Sequence, residues 1–242
     1  MSQLPLERAK TGIPGLDEII GGGYPQGTTI LVCGGSGTGK TIFCTQFLHS
    51  GIIEQNEPGI FVTLEERPSD LREEMLSLGW DLAEHERNDD LIIIDGASLK
   101  TLMSPCEYAL SEGFNVDNLV FEIYKGARKI NAKRLVIDSL PGLELRFGEL
   151  SEFRKALSRL SFMLLELGIT SLMTTESVDP SLVSRYGIEE FVVRGVIILS
   201  LEEEGFQLKR FLRVRKMRGT MHSLKSIPFE ITEKGAVLYL VK

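Results

Sequence analysis

Apolar positions along this chain fall into short unbroken runs set between stretches with helical spacing. Thr28–Cys33 is the first run of strand type, and Ile42–Ile53 after it has the spacing of an amphipathic helix. Gly59–Leu64 is the next run. Pro68–Leu78 again has helical spacing, with Pro68 where a first helical turn tolerates a missing N–H. Leu91–Asp95 is a strand ending on an acid, Val116–Asn131 a helix, and Arg134–Asp138 a second strand ending on an acid. Leu150–Leu167 is a long amphipathic helix stopped by Gly168, and Ile169–Thr175 is a further strand. Strands alternating with helices predict an α/β fold, a mostly parallel central sheet flanked by helices.

The alternation stops near Glu189. Phe191–Leu201, Gln207–Met217 and Ala236–Val241 are β-rich segments joined by short turns, so antiparallel hairpin strands are expected at the C-terminal end. Glu202–Gly205 reads as a solvated hairpin turn. No repeat or Pro/Ser-rich linker divides the 242 residues, which read as a single domain, 1–242. In an open parallel sheet ligands collect at the carboxyl ends of the strands, so the chemistry is expected there.

Composition narrows the classes. Lys and Arg total 27 against 34 Asp and Glu, a formal charge of −7. Broad binding to a nucleic-acid backbone, which runs on counterion release by cations, is not expected, although a local basic groove inside an oligomer stays open. Cys33, Cys44 and Cys106 are scattered and odd in number, as for buried hydrophobes in a reducing compartment. The start of the chain has no apolar leader pattern and no stretch reaches membrane-spanning length, so a soluble, cytoplasmic protein is expected.

Gly34–Thr41 reads GGSGTGKT and meets every fixed position of the P-loop pattern G-x-x-x-x-G-K-[ST]. Its glycines let successive backbone N–H groups turn inward on phosphates. Lys40 is a compact charge for the β- and γ-phosphates, and the Thr41 hydroxyl is a Mg²⁺ ligand. The strand before and the helix after supply the required frame, because a helix N-terminus adds partial positive charge.

Acids stand at four other strand ends. Asp138 and Asp95 each close an apolar run, the form of a Walker B segment that orients Mg²⁺, and spacing alone does not choose between them. Glu65 and Glu66 follow the strand after the P-loop helix, where a carboxylate can orient and polarise the water that attacks a γ-phosphate. As neighbours on a strand they would point to opposite faces, one catalytic and one its orienting partner. A solvated Glu-Glu-Arg turn is the plainer reading of the same letters. Glu176 is either a γ-phosphate sensor or a solvated residue. Arg213–Thr220, RVRKMRGT, is the densest basic run, and Lys216 and Arg218 share a face if the strand continues through them. The run is either a solvated cluster or a pair of cations reaching a neighbouring subunit's phosphates. It has no aromatic for base stacking.

Together these segments resemble the KaiC domain, in the RecA-like group of P-loop ATPases that also holds RadA-type recombinases and replicative helicases. Thr11–Asp17, Gly21–Gly23, the P-loop, Phe61–Glu66, Leu78–Asp81, Leu135–Ser139, Arg185–Phe191, Lys216–Thr220 and Pro228–Thr232 carry the resemblance, in the family's order. It implies a RecA-like P-loop core that assembles into a ring such as a homo-hexamer, with ATP between subunits. It implies that Gly35, Ser36, Gly37, Thr38, Gly39, Lys40, Thr41 and Ile42 wrap the phosphates, that Asp138 is the Walker B acid, and that Glu65 and Glu66 are the catalytic pair. Ser77 is placed near the nucleotide. Lys216, Met217, Arg218, Thr220 and His222 approach from the adjacent subunit, and Thr232 and Glu233 lie near base or ribose. Circadian-clock members carry two such domains and a Ser/Thr pair for autophosphorylation. Here there is one domain, and Ser177–Phe191 resembles the domain without the pair, so autokinase activity is not expected. The resulting expectation is an ATPase using ATP and Mg²⁺, regulatory or signalling in role, with an unidentified protein partner. A single-stranded-DNA-dependent ATPase and a non-catalytic nucleotide-gated scaffold are the alternatives.

Overall fold

The computed structural model describes residues 7–96, 116–144, 149–177 and 183–240. Cys106, residues 178–182 of the Ser177–Phe191 stretch, and Val241 lie outside them. In chain order the elements are β1 (Arg8–Ala9), α1 (Leu16–Ile19), β2 (Tyr24–Pro25), β3 (Thr29–Gly34), α2 (Lys40–Gln55) and β4 (Gly59–Thr63). Then come α3 (Pro68–Leu76), α4 (Leu82–Arg87), β5 (Leu91–Asp95), α5 (Val116–Ile130), β6 (Arg134–Asp138), α6 (Pro141–Glu144) and α7 (Leu150–Glu166). The chain closes with β7 (Thr170–Thr175), α8 (Glu189–Val192), β8 (Gly195–Glu204), β9 (Gln207–Met217), β10 (Ile227–Thr232) and β11 (Gly235–Leu238).

The main sheet runs β11-β10-β9-β8-β3-β7-β6-β4-β5. Strands β8, β3, β7, β6, β4 and β5 are mutually parallel, and β9, β10 and β11 are added antiparallel. The expected fold is therefore the observed one. Its logic lies in the unbroken apolar runs. Strand side chains alternate between faces, so a run without polar breaks fits only a sheet buried on both sides. Ile30, Val32, Phe61 and Val136 join one core with Phe43, Phe47 and Ile52 of α2. Leu31, Val62, Leu135 and Ile137 join the other, with Ile123 of α5 and Leu157 and Leu160 of α7.

Three readings of the sequence need correction. Phe191–Val193 is not strand: Glu189–Val192 is a short helix and β8 begins at Gly195. The helix sits there because the Glu189 carboxylate is fully buried and accepts from Thr175 Oγ1 (3.2 Å), Ser184 Oγ (2.7 Å) and its neighbour's amide, Ile188 N–H. The Glu202–Glu204 segment is strand, paired with Gln207–Lys209, and the turn is at Gly205–Phe206. Ile227–Thr232, whose Pro228 blurs the strand pattern, is β10.

One polar cluster ties this core to the chain's start. Arg134 opens β6 and is only 1% exposed. Its Nε donates to Glu57 Oε2 at 2.6 Å, and Nη1 donates to the carbonyls of Lys10 (2.9 Å) and Phe47 (2.7 Å). The guanidinium also lies 4.4 Å from the Phe47 ring centroid. A buried cation stripped of its carboxylate is costly, so Glu57→Ala is expected to destabilise the fold by roughly 3 kcal/mol. A lowered urea midpoint at unchanged slope would show this.

Candidate nucleotide site

The P-loop leaves the carboxyl end of β3 and returns as α2. Gly39, at φ 94°, precedes the first helical residue in the left-handed region that favours glycine, with Ile231 Cδ1 close over it. Gly37 is also left-handed, at φ 76°. Thr38 is buried and its hydroxyl donates to the Gly35 carbonyl at 2.8 Å, closing the loop. Lys40 Nζ lies 2.9 Å from the Gly34 carbonyl and 3.0 Å from that of Gly35, held against the loop it serves.

The sheet order decides between the two candidate acids. β6 lies between β4 and β7, next but one to β3, whereas β5 is the outer strand. Asp138 therefore reaches the P-loop: Thr41 Oγ1 donates to its Oδ2 at 2.6 Å, and Thr174 Oγ1 on β7 donates to its Oδ1 at 2.5 Å. Asp95 is buried at the sheet edge and does not line the cleft.

That cleft holds about 420 Å³. Ser36, Gly37, Gly39, Lys40, Thr41, Ile42, Glu65, Glu66 and Asp138 line it, as expected, together with Glu74, Ser139, Glu176, Arg210 and Ile231. Gly35 and Thr38 line an adjoining hollow with Ser177 and Arg213. Glu65 and Glu66 are not on a strand, because β4 ends at Thr63 and the chain bends, fixed by Thr63 Oγ1 donating to the Glu66 carbonyl at 2.6 Å. The opposite-faces argument therefore lapses. Burial separates them instead: Glu65 is exposed and Glu66 half-buried. Desolvation, then the negative charges of Asp138, Glu74, Asp70 and Glu65, push the Glu66 carboxyl up to about 7. Glu176 is tied to Arg185 at 2.7 Å.

Other expected site residues stand apart from the cleft within one subunit. Ser77 caps α3, its hydroxyl donating to the Glu74 carbonyl, and is not a lining residue. Thr232 closes the β10–β11 turn by donating to the Gly235 carbonyl at 3.0 Å, beside exposed Glu233. Met217 is buried core. His222 Nδ1 lies 3.2 Å from the Ser223 carbonyl. Lys216 does not project beside Arg218. Its Nζ donates to the carbonyls of Glu190 (2.8 Å) and Val193 (2.7 Å), and β9 ends at Met217, so Arg218 belongs to the turn. Arg218 lines a second cleft of about 400 Å³ at the opposite end of the strands, with Arg154, Arg194, Phe162 and Phe191. The aromatics missing from the basic run thus arrive from α7 and α8.

Sequence reasoning passed over Arg210, whose Nη2 donates to the Gly37 carbonyl at 3.2 Å. The signal was present: Arg210 keeps strand register with buried Leu212 and Val214, an inward position that a cation rarely takes without a function or partner.

The donor set suits a Mg²⁺–triphosphate. A hydroxyl and a carboxylate oxygen 2.6 Å apart are hard oxygen donors, adjacent to a lysine and a left-handed glycine loop. Comparison with known proteins identifies the family. The family model described as ATPase: KaiC matches residues 9–241. The circadian clock oscillator protein KaiC of Thermosynechococcus vestitus is 41% identical over 231 residues, 95% of this chain but 44% of that protein. The chain spans about half the length of the clock proteins it matches. A UPF0273 protein of Methanocaldococcus jannaschii, MJ1359, is 39% identical over 237 residues, 97% of both chains. The crystal structure of the KaiC-like protein PH0186 from Pyrococcus horikoshii superposes with a TM-score of 0.86 at 50% identity, covering 98% of this chain and 100% of that one. On this agreement of motif, fold and relatives, the chain belongs to the KaiC ATPase family.

Proposed function

We propose that this protein is a Mg²⁺-dependent ATPase that hydrolyses ATP where two copies of the chain meet, within a closed ring such as a hexamer. One observation carries the reading. The cation-bearing turn and the P-loop lie at opposite ends of β3: Gly34 leads into the loop, while at the other end Arg194 N–H donates to the Thr29 carbonyl and Arg218 N–H to the Arg194 carbonyl. Five residue steps of parallel strand separate those ends by about 16 Å. Arg218 is exposed and without an ion pair among the described residues, and this separation puts it beyond reach of its own P-loop. A neighbour's phosphates are the partner that this placement favours.

In this scheme the loop amides and Lys40 bind the triphosphate, with Arg210 as a further cation on the same side. Thr41 and Asp138 hold Mg²⁺, which when bound neutralises charge on the β- and γ-phosphate oxygens. Glu66, raised toward neutrality, accepts the proton of the attacking water, and exposed Glu65 orients it. Arg218 from the neighbour offsets charge that develops on the γ-phosphate. Lys216 is an internal anchor rather than a second finger. The likeness to clock oscillator proteins supports a regulatory or signalling role exerted on a protein partner. Among the described residues no helix is long and apolar enough to cross a membrane, and buried, unpaired Cys33 and Cys44 suit a reducing cytoplasm.

Arg218→Ala is expected to lower kcat by roughly 10³-fold while ATP binding persists. Specific activity of the unmodified protein should rise with protein concentration; a variant that turns over at the unmodified rate would remove the neighbour's cation from the mechanism.

The Glu66 titration gives a second prediction. Its carboxyl is neutral below about 7 and ionised above, so hydrolysis should climb between roughly pH 6 and 8, and Glu66→Gln should abolish the climb along with most activity. Stability moves the other way. The folded chain keeps a proton that the unfolded chain releases near 4.5, so stability falls as pH rises from 4.5 to about 7. Urea unfolding across that range should show a shallower decline in Glu66→Gln.

A further inference from the structure

We propose that Arg8, at the start of the chain, is a positioning residue for the Arg218 turn and so acts on hydrolysis at the neighbouring P-loop. The inference rests on the proposed role of Arg218. Arg8 Nη1 donates to Thr220 Oγ1 at 2.6 Å and to the carbonyls of Ile20 (3.3 Å) and Gly23 (3.2 Å). Its Nη2 donates to the Gly219 carbonyl at 3.5 Å. Arg8 makes no ion pair among the described residues. An arginine without a carboxylate, its planar fork spread over three carbonyls and a hydroxyl, fixes geometry rather than neutralises charge.

The contacts span two segments far apart in sequence. On one side is the N-terminal ribbon, where β1 pairs with β2. Gly23, at φ 137°, closes that ribbon, since a Cβ there would stand 2.3 Å from the Ala9 carbonyl oxygen. On the other side is the turn that carries Arg218. The Arg194 carbonyl holds its first amide, and the Met217 carbonyl accepts from Thr220 N–H at 3.2 Å. Gly219, at φ 72°, is the pliable member, and its carbonyl and the following hydroxyl are the atoms that Arg8 holds. Because Thr220 Oγ1 accepts from Arg8, its own proton is left to donate outward. Loss of Arg8 frees the side of the turn that faces the ribbon, and a cation that acts in the transition state loses its aim.

Arg8→Ala is therefore expected to lower kcat about tenfold with the KM for ATP little changed, the signature of an interaction made in the transition state. Assembly mass by light scattering should be unaltered. Arg8→Lys, which keeps one donor for Thr220, should recover part of the loss. Mixing supplies a readout that a purely structural role would not move. Lys40→Ala subunits lack their own phosphate lysine but carry an intact turn, so added to Arg8→Ala subunits they should raise hydrolysis above the sum of the two alone. Arg8→Ala at the unmodified kcat, with Arg218→Ala slow, overturns the positioning role and leaves the proposed function standing. Arg218→Ala at the unmodified kcat overturns the proposed function first. A loss in Arg8→Ala that comes with dissociation and is not restored by Lys40→Ala subunits makes Arg8 structural and overturns the inference.

Discussion

Strand β3 has two ends to serve, and the rest of the molecule is arranged around that. It is flanked on both sides by parallel partners, β7 and β8. Parallel pairing sends every carboxyl end to one edge, so the P-loop, Asp138, Thr174 and the Glu65–Glu66 bend converge there without any long excursion of chain. The opposite edge is then left without the loop chemistry. It receives Arg218 because β9 turns back antiparallel on β8 and runs the full height of the sheet, and Arg218 joins Arg154 and Arg194 there. Arg210, early in β9, touches the P-loop, and Arg218, just past its end, stands at the far edge. Eight residues of nearly extended chain, about 26 Å, separate the two cations. On the proposed reading, one strand thus equips both halves of a divided site.

Electrostatics explains why the carboxyl edge does not tear itself apart. Asp138 stays anchored by two hydroxyl donors, Thr41 and Thr174, which satisfy it from opposite oxygens. Among the described residues no side chain donates to the Glu66 carboxyl, and burial and the surrounding acids raise its pKa. Two carboxyls of one cleft are in this way given different surroundings, Asp138 held by hydroxyl donors and Glu66 left to burial and neighbouring acids. Lys40 and Arg210 enter the same cleft from the loop and from β9, and the cleft becomes a place where added anionic charge is tolerable.

Much of this was legible from the letters. The unbroken apolar runs identified a doubly covered parallel sheet, because only such a sheet buries successive residues of a strand, and GGSGTGKT identified the phosphate loop. What periodicity does not carry is sheet order. Asp95 and Asp138 end near-identical runs, and only the position of β6 between β4 and β7 brings Asp138 within 2.6 Å of Thr41. Local bends are equally silent. The Glu65–Glu66 pair looked strand-borne because its run was unbroken, yet the Thr63 hydroxyl donates to the Glu66 carbonyl and the strand ends at Thr63, before either acid. Phe191–Val193 looked like strand because it is apolar, but a buried Glu189 pinned by three donors makes it the end of a helical turn. Arg8 carried no pattern at all, since the partner that ties it to the Arg218 turn, Thr220, lies 212 residues away.

The proposed division of the site between copies demands rigidity between its two halves, because an error at one end of a subunit would become an error in its neighbour. Two devices meet the demand in different ways. At the P-loop helix, Gln46 donates to the carbonyls of Gly12 and Ala236 and accepts from the Ala236 amide, locking α2 to segments near both ends of the chain. At the far edge, Lys216 is held by the carbonyls of Glu190 and Val193, and the Arg218 backbone by that of Arg194. The nine-stranded sheet lies between them. In the proposed arrangement a subunit binds ATP without the cation that completes the site, and the neighbouring copy supplies it. On that proposal the fold is the spacer that sets how far apart successive junctions lie.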